Sequence, residues 1–176
     1  KGVAAFEDVY KIPLFFKFPN NLYADSHCLA YADTCDILPT VLEILGIEWE
    51  GGALDGKSLI PFIQGESCDN TYTLAEFFGQ RFSYTQRVVW SDGYKYVFNA
   101  FDCDELYDLM NDPSERVNLA RNQEYSEKLS KLTSLMWKRA KETGDTYFSD
   151  AQYFMHRFAP IGPDADPNIS EKYGMY

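Results

Sequence analysis

Residues 87–99 read RVVWSDGYKYVFN, two short runs of aromatic and β-branched residues on either side of Asp92-Gly93. Such runs favour β-strands, and an Asp-Gly pair between them favours a two-residue turn that makes the strands antiparallel. The sequence therefore predicts a β-hairpin with its turn at Asp92-Gly93. The neighbouring segments have a similar composition, so the hairpin is the natural centre of a larger sheet.

Segments on both sides extend the hairpin. Residues 71–78 and 105–109 are also rich in strand-forming side chains, and Asn111-Asp112-Pro113 ends the second segment with turn residues. We predict a small antiparallel sheet, followed by a helix from about Gln123 to Thr143. One face of that helix is apolar at helical spacing. This face consists of Leu129, Leu132, Leu135, Met136 and Ala140.

The region before the sheet has a different pattern. Residues 12–18 form a short apolar run next to prolines, which predicts a buried strand. Apolar residues at helical spacing predict a helix from about Asp36 to Gly46, and residues 58–63 predict a short helix capped by Ser58. A lone apolar strand before a helix is typical of the edge of a parallel sheet whose other strands lie outside the chain.

Together these elements predict an α+β fold in three parts. Residues 1–66 are expected to be the end of an α/β domain, with the edge strand and a helix. Residues 67–145 are expected to be an antiparallel-sheet subdomain packed on its C-terminal helix. Residues 146–176, with prolines and many aromatic side chains, predict an irregular tail.

Charge and composition exclude several kinds of partner. Sixteen Lys and Arg against 27 Asp and Glu give a net charge of −11, which repels a phosphate backbone, so nucleic acid is not expected. No apolar run approaches the ~20 residues of a membrane span, so a membrane partner is not expected. Four cysteines (Cys28, Cys35, Cys68 and Cys103) are too far apart for a CxxC pair, and their disulfide state stays open, as does the compartment.

The residues alone do not predict a self-contained active site. Nucleophile-elbow, phosphate-loop, HExxH and EF-hand patterns are absent from the sequence. His27 and His156 are the only histidines, and an isolated histidine is more often structural than catalytic. The acidic residues at 102, 104 and 105 are better explained as a solvated loop than as a calcium site, which needs six or more converging oxygens.

Five segments occur in a fixed order along the chain. They are KGVAAFEDVYKIPLFFKFP at 1–19, DTCDILPTVLEILGI at 33–47, LDGKSLIPFIQG at 54–65, RVVWSDGYKYVFN at 87–99 and DELYDLMNDPSERVNLA at 104–120. Together they resemble the carboxy-terminal part of the sulfatase family, within the alkaline phosphatase superfamily. The resemblance implies that the chain is the C-terminal part of an alkaline-phosphatase-like enzyme.

The resemblance also implies a chemistry. Sulfatases hydrolyse sulfate esters or sulfamates with a formylglycine, made from Cys or Ser in a CxPxR-type motif, beside a divalent cation that is usually calcium. This chain has no such motif. The nucleophile and the metal ligands are therefore expected upstream of Lys1, and the chain alone is expected to bind no cation and to be inactive.

Five residues are the candidates for the site. Lys1-Gly2 and Phe6-Glu7 match the family motif whose lysine binds sulfate, so the resemblance implies a catalytic role for Lys1. The sheet subdomain is expected to help shape the substrate pocket, and the candidate substrate-binding residues are His27, Glu76, His156 and Arg157. The implied substrate is a sulfated small molecule or glycan, whose identity the sequence leaves open.

Two other functions remain open from the sequence. The chain is alternatively a noncatalytic, sulfatase-derived module that binds a glycan or a protein, or part of a sister phosphodiesterase or phosphonate hydrolase of the same superfamily. The nucleophile and metal ligands would distinguish the latter. Residues 12–18 are also expected to expose an unpaired apolar edge through which the chain self-associates.

Overall fold

The computed structural model describes residues 5–66, 71–78, 85–100 and 102–145. The chain divides into two compact units. We call residues 1–10 together with 74–176 the sheet unit, and residues 11–73 the helix unit. The division at residues 66 and 145 that the sequence suggests stays a prediction.

The sheet has four strands in the order β1-β2-β3-β4. The strands are β1 (Tyr72–Phe77), β2 (Gln86–Ser91), β3 (Tyr94–Asn99) and β4 (Glu105–Asp108). Strands β2 and β3 are antiparallel, as are β3 and β4. Asp92 and Gly93 turn between β2 and β3 with φ of 51° and 77°, in the left-handed region that a tight hairpin requires. The predicted hairpin and sheet are confirmed, and so is the α+β class.

One face of the sheet is covered by a long helix. Helix α4 (Ser126–Thr143) follows a 3₁₀ turn at Gln123–Tyr125. Its buried residues include Leu132, Met136 and Ala140 of the predicted apolar face. The ring of Trp137 lies 6.0 Å from that of Phe98 on β3, centroid to centroid. The face of the sheet that carries Phe98 therefore packs on α4, which confirms the predicted helix.

The outer edge of β4 is closed by residues that follow it in the chain. The side-chain Oδ1 of Asn118 accepts a hydrogen bond from the Leu106 N–H (3.0 Å), and its Nδ2 donates to the Asp104 carbonyl (3.0 Å). The Leu119 N–H donates to the Leu106 carbonyl (2.8 Å). Residues 118–119 thus satisfy polar groups that an edge strand would otherwise present to solvent.

In the helix unit, the buried carboxylate of Asp36 forms hydrogen bonds with both the segment before helix α2 (Ile37–Leu45) and the segment around residues 54–57. Helix α2 follows a 3₁₀ turn at Thr34–Asp36, and the short helix α3 spans Ile60–Ile63. Asp36 accepts from the backbone N–H groups of Asp33 (3.0 Å) and Lys57 (2.8 Å). Position 56 must be glycine, because a Cβ there would collide with the Cys35 carbonyl. Both helices were predicted, and the motif around residues 54–57 has a structural role.

The strand predicted over residues 12–18 is not formed. The described chain has no strand pairing there, and Phe15 is 87% exposed. A strand depends on hydrogen bonds from a neighbouring strand, and the sequence pattern itself assigned the neighbours of this segment to a sheet outside the chain. The prediction of an edge strand is therefore wrong for this structure, although the segment is apolar.

The structure also bears on the cysteines, on membrane-spanning helices and on the predicted tail. Cys28, Cys35 and Cys103 are free and exposed, whereas Cys68 lies outside the described residues. Among the described helices, none has the length and apolar character that crossing a bilayer requires. The predicted tail, residues 146–176, also lies outside the described part of the chain.

Candidate functional site

A lysine side chain is completely buried at the centre of the sheet. Lys95 is on β3, between its cross-strand neighbours Trp90 on β2 and Tyr107 on β4, and its side chain is 0% exposed. Side chains alternate along a strand, so Lys95 is on the face opposite to Phe98 and therefore opposite to α4. A buried ammonium group is very unfavourable unless it is paired. The surroundings of Lys95 are therefore informative.

Three acceptors surround the ammonium nitrogen. Lys95 Nζ contacts Glu115 Oε1 directly, lies 3.6 Å from Glu7 Oε1, and donates to the Ala5 carbonyl at 2.5 Å. The Glu115 side chain is 3% exposed and that of Glu7 is 19% exposed. We call Ala5, Glu7, Lys95 and Glu115 the Lys95 cluster. It joins the start of the chain, the central hairpin and the loop after β4.

Burial and the neighbouring charges act in opposite directions on Lys95. Burial has the largest effect and lowers the pKa of Lys95 to about 8, while the carboxylates of Glu7 and Glu105 raise it. The direct contact with Glu115 also favours the charged form. Burial and the neighbouring carboxylates thus have opposite effects on the same ammonium group, and burial has the larger one.

The segment that follows Lys1–Ala4 is held at several points. The Glu7 N–H donates to Glu115 Oε2 (2.8 Å), and Glu7 Oε1 accepts from the Trp90 indole N–H (2.6 Å). Glu7 begins the one-turn helix α1 (Glu7–Tyr10), and the Tyr10 ring lies 5.4 Å from the Trp90 ring. Together with the bond to Ala5, these contacts fix the backbone of residues 5–10 against the sheet.

A turn after β4 aims Glu115 into the cluster. The Asp112 side chain accepts from the N–H groups of Arg116 (2.7 Å) and Val117 (2.9 Å), and the Asp112 carbonyl accepts from the Glu115 N–H (3.1 Å). Glu115 has a φ of 54°, a left-handed conformation that is unfavourable for a residue with a side chain. The Asp112-Pro113 turn thus holds Glu115 in a conformation that directs its carboxylate to Lys95.

The residues predicted as site residues are differently placed. His27 is exposed in the helix unit, and Glu76 is exposed on β1. Neither belongs to the Lys95 cluster. Lys1, His156 and Arg157 lie outside the described residues, so their roles stay predictions.

The cluster itself was missed at the sequence level. Glu7, Lys95 and Glu115 lie in three of the quoted motifs, yet the sequence assigned them no role. A signal was present in the sequence, because Lys95 lies two residues before Val97 in the predicted strand and therefore on the same strand face as this apolar side chain. A charged residue at such a position predicts a buried partner of opposite charge.

The described residues do not offer a cation site. No group of three or more His, Cys, Asp or Glu side chains in this part of the chain is arranged to hold a metal ion. The carboxylates of the Lys95 cluster face an ammonium group instead.

Comparison with known proteins identifies the class. A small antiparallel sheet packed on a C-terminal helix, with this order of motifs, defines the C-terminal part of a sulfatase of the alkaline phosphatase superfamily. More particularly, residues 3–142 match the family described as N-sulphoglucosamine sulphohydrolase, C-terminal, and the chain belongs to that family.

Individual relatives agree with this family. A sulfatase of Formosa agariphila is 30% identical over 151 residues, which cover 85% of this chain and 28% of the relative. A Delta 4,5-hexuronate-2-O-sulfatase of Bacteroides thetaiotaomicron is 29% identical over 157 residues, covering 85% of this chain and 32% of the relative. A solved structure of a 2-O GAG sulfatase matches with a TM-score of 0.59 and 31% identity, over 65% of this chain and 26% of that one. The chain spans about a third or less of these proteins.

Proposed function

We propose that this chain is the C-terminal part of an enzyme that hydrolyses sulfate esters, and that Lys1 binds the sulfate group of the substrate. The match of residues 3–142 to a sulfatase family carries the first part of the proposal. Lys1 lies outside that match, and its role is supported only by the resemblance of Lys1-Gly2 and Phe6-Glu7 to the family motif whose lysine binds sulfate. In the reaction water cleaves the ester, releasing an alcohol and sulfate. An ammonium group at Lys1 would offset negative charge that develops on the sulfuryl oxygens and on the leaving oxygen.

The remaining chemistry belongs to the part of the parent enzyme outside this chain. We propose that a formylglycine there is the nucleophile and that a divalent cation, calcium in the first instance, is bound there as well. When bound, the cation adds positive charge next to the sulfate. The described residues contribute the fixed backbone of residues 5–10, which begins four positions after Lys1.

The surface of the helix unit supports a role within a longer protein. Apolar side chains of α2 are exposed, and so are those just after it; they are Ile37, Leu38, Val41, Ile44, Leu45, Ile47 and Trp49. An exposed apolar row of this kind is usually an interaction surface. The relatives extend to about three times the length of this chain. We propose that the catalytic part of the parent covers this row.

The relatives suggest which substrates to test first. One relative is named for removing a 2-O-sulfate from an unsaturated hexuronate, and a solved structure is described as a 2-O GAG sulfatase. We therefore propose a sulfated glycan as the first substrate class, and a small aryl sulfate as a general probe. His27, Glu76, His156 and Arg157 remain candidate substrate contacts.

The test uses the full-length protein that contains this chain. Sulfate released from 4-nitrophenyl sulfate and from a 2-O-sulfated unsaturated disaccharide is measured by ion chromatography. We expect release by the full-length protein and none by residues 1–176 alone. Lys1→Ala should lower kcat by about 10²- to 10³-fold, the usual effect of removing one group that stabilises developing charge. Lys138→Ala, an exposed lysine on α4, is the matched control and should leave kcat unchanged.

Other outcomes would point elsewhere. Wild-type kcat/KM in the Lys1→Ala variant would contradict the role of Lys1. Hydrolysis of a phosphodiester or phosphonate ester without sulfate release would identify a sister hydrolase of the superfamily. If the full-length protein has no hydrolytic activity and the isolated chain binds a sulfated oligosaccharide in calorimetry, the chain is a noncatalytic binding module.

A further inference from the structure

We infer that Lys128 and Lys131, where helix α4 meets the tip of the β2–β3 hairpin, bind a sulfate group of a glycan. A sulfated glycan is the substrate class of the proposed function, and the inference rests on that function for the identity of its ligand. The site itself is argued from the contacts of the two lysines with Asp92 and Tyr94.

One carboxylate brings the two lysines together. Asp92 Oδ2 lies 2.5 Å from Lys131 Nζ and 3.8 Å from Lys128 Nζ. Asp92 is in the hairpin turn, with a φ of 51°, whereas the lysines are three residues apart on α4 and therefore on the same side of that helix. The turn and the helix thus place two ammonium groups around one oxygen atom.

The position of Lys128 is restricted further by an aromatic ring. Its Nζ lies 4.7 Å from the centroid of the Tyr94 ring, which is within the range of a cation–π interaction. The Tyr94 hydroxyl donates to Asp108 Oδ2 (3.0 Å), and its ring lies 6.3 Å from that of Tyr125. Lys128 is therefore partly ordered before a ligand arrives, which lowers the entropic cost of binding.

The charges of this group do not balance. In the described contacts, two ammonium groups share one carboxylate, so the group keeps one excess positive charge. A sulfate group on a glycan carries one negative charge and would balance it. The side chains of Lys131 and Asp92 are 56% and 46% exposed, so a ligand can reach them. Because an ammonium group has three donors, Lys131 can bind Asp92 and a sulfate oxygen together.

A glycan fits this group better than a nucleic acid does. A duplex places one negative charge about every 1.7 Å, and the net charge of −11 on the chain repels so dense a polyanion. A glycan carries its sulfates further apart on a flexible chain, so one sulfate can contact the two lysines while the others stay away from the acidic residues of the chain. Charge complementarity therefore favours a sulfated glycan as the ligand.

The other end of α4 offers a matched control. Lys138 and Lys141 are exposed and three residues apart, as Lys128 and Lys131 are. The Lys138 ammonium lies 3.9 Å from Glu142, which is on the same helix. Replacing Lys138 and Lys141 removes the same amount of charge from the same helix and leaves the hairpin contacts intact.

The experiment is fluorescence anisotropy with a fluorescein-labelled heparin octasaccharide and the full-length protein. Lys1→Ala is the common background, because it removes the sulfate ligand proposed at position 1 and slows turnover of the probe. In this background, Lys128→Gln/Lys131→Gln keeps both side chains long but removes their charges. We expect its Kd to rise by about 5- to 25-fold, since each exposed ion pair contributes up to about 5-fold. Lys138→Gln/Lys141→Gln should change the Kd by less than about 2-fold.

Asp92→Asn tests the site with an effect of opposite sign. Asparagine also adopts left-handed backbone, so the turn is kept, and its amide oxygen still accepts from Lys131. Loss of the carboxylate leaves both ammonium charges to the ligand, so the Kd for the octasaccharide should fall by about 2- to 5-fold. An unchanged or higher Kd would mean that the lysines serve only to pair with Asp92.

The outcomes separate the site from the proposed function. Equal Kd values for the two double variants would overturn the site, and so would equally tight binding of a single-stranded DNA oligonucleotide through Lys128 and Lys131. If the wild-type full-length protein releases no sulfate but binds the octasaccharide through these lysines, the proposed function fails and the site stands. If it releases sulfate and the double variants bind alike, the function stands and the site fails.

Discussion

Replacing Lys95 by methionine tests the energetics of the cluster directly. The variant fills nearly the same volume but leaves the buried carboxylate of Glu115 and the partly buried carboxylate of Glu7 without a counter-ion. At the observed 3.6 Å, the attraction between Lys95 and Glu7 alone is about 5 kcal/mol at an effective dielectric constant near 20. Methionine also avoids the burial of the ammonium group, which offsets part of this loss. Measured losses for breaking one side of a buried ion pair are about 3–5 kcal/mol. We expect Lys95→Met to lose that amount of unfolding free energy.

The assay is urea unfolding followed by far-UV circular dichroism and tryptophan fluorescence. With an m-value of about 2 kcal/mol/M, the midpoint at pH 7 should fall by about 2 M. Adding Glu115→Gln to Lys95→Met should recover at least half of the loss, because one buried charge is removed while an acceptor for the Glu7 N–H remains. A loss of unfolding free energy below about 1 kcal/mol at pH 7 would refute the argument.

Three further predictions concern other parts of the fold. Hydrogen bonds, chiefly from the Asn111 side chain, lower the pKa of Asp108, so its stabilising effect is present above about pH 3.9 and is lost as pH falls through the lowered value. Asp108→Asn should therefore unfold at lower urea than wild type at pH 7, and the difference should shrink as pH falls below about 3.9; a difference that does not change with pH would contradict this. Asn118→Ala should cost about 1–2 kcal/mol and speed hydrogen exchange of the Leu106 amide, and unchanged exchange would count against the edge-closing role. The isolated chain should self-associate through residues 12–18 in sedimentation at high concentration, and Phe15→Glu should shift it to monomer; a monomeric wild-type profile would remove the basis for this prediction.

Elements set by local interactions could be predicted from the sequence. The Asp92-Gly93 turn requires left-handed backbone, which that pair adopts readily, and the residues on both sides of it are aromatic and β-branched strand formers. Helix α4 was predictable because its apolar residues recur at one spacing and its end is marked by Gly144. In both cases the information lies within a few residues.

Elements set by distant partners could not be predicted in the same way. Residues 12–18 have the composition of a strand, but a strand forms only where neighbouring backbone is available, and the described chain provides none there. The Lys95 cluster joins residues 20 positions apart along the chain, Lys95 and Glu115, and the left-handed backbone of Glu115 depends on the Asp112 turn. The positions of Lys95 and Glu115 in the sequence do not by themselves indicate that their side chains are in contact.

The hydrogen bond from the Glu7 N–H to Glu115 cannot form until late in the synthesis of the chain. The two residues are 108 positions apart. At a translation rate of about 5–20 residues per second, Glu115 is made roughly 5–20 seconds after Glu7. The segment that begins at Ala5 therefore leaves the ribosome long before its anchor exists. A nascent chain that stops short of Glu115 already contains Lys1, but it lacks the group that fixes the segment leading to it.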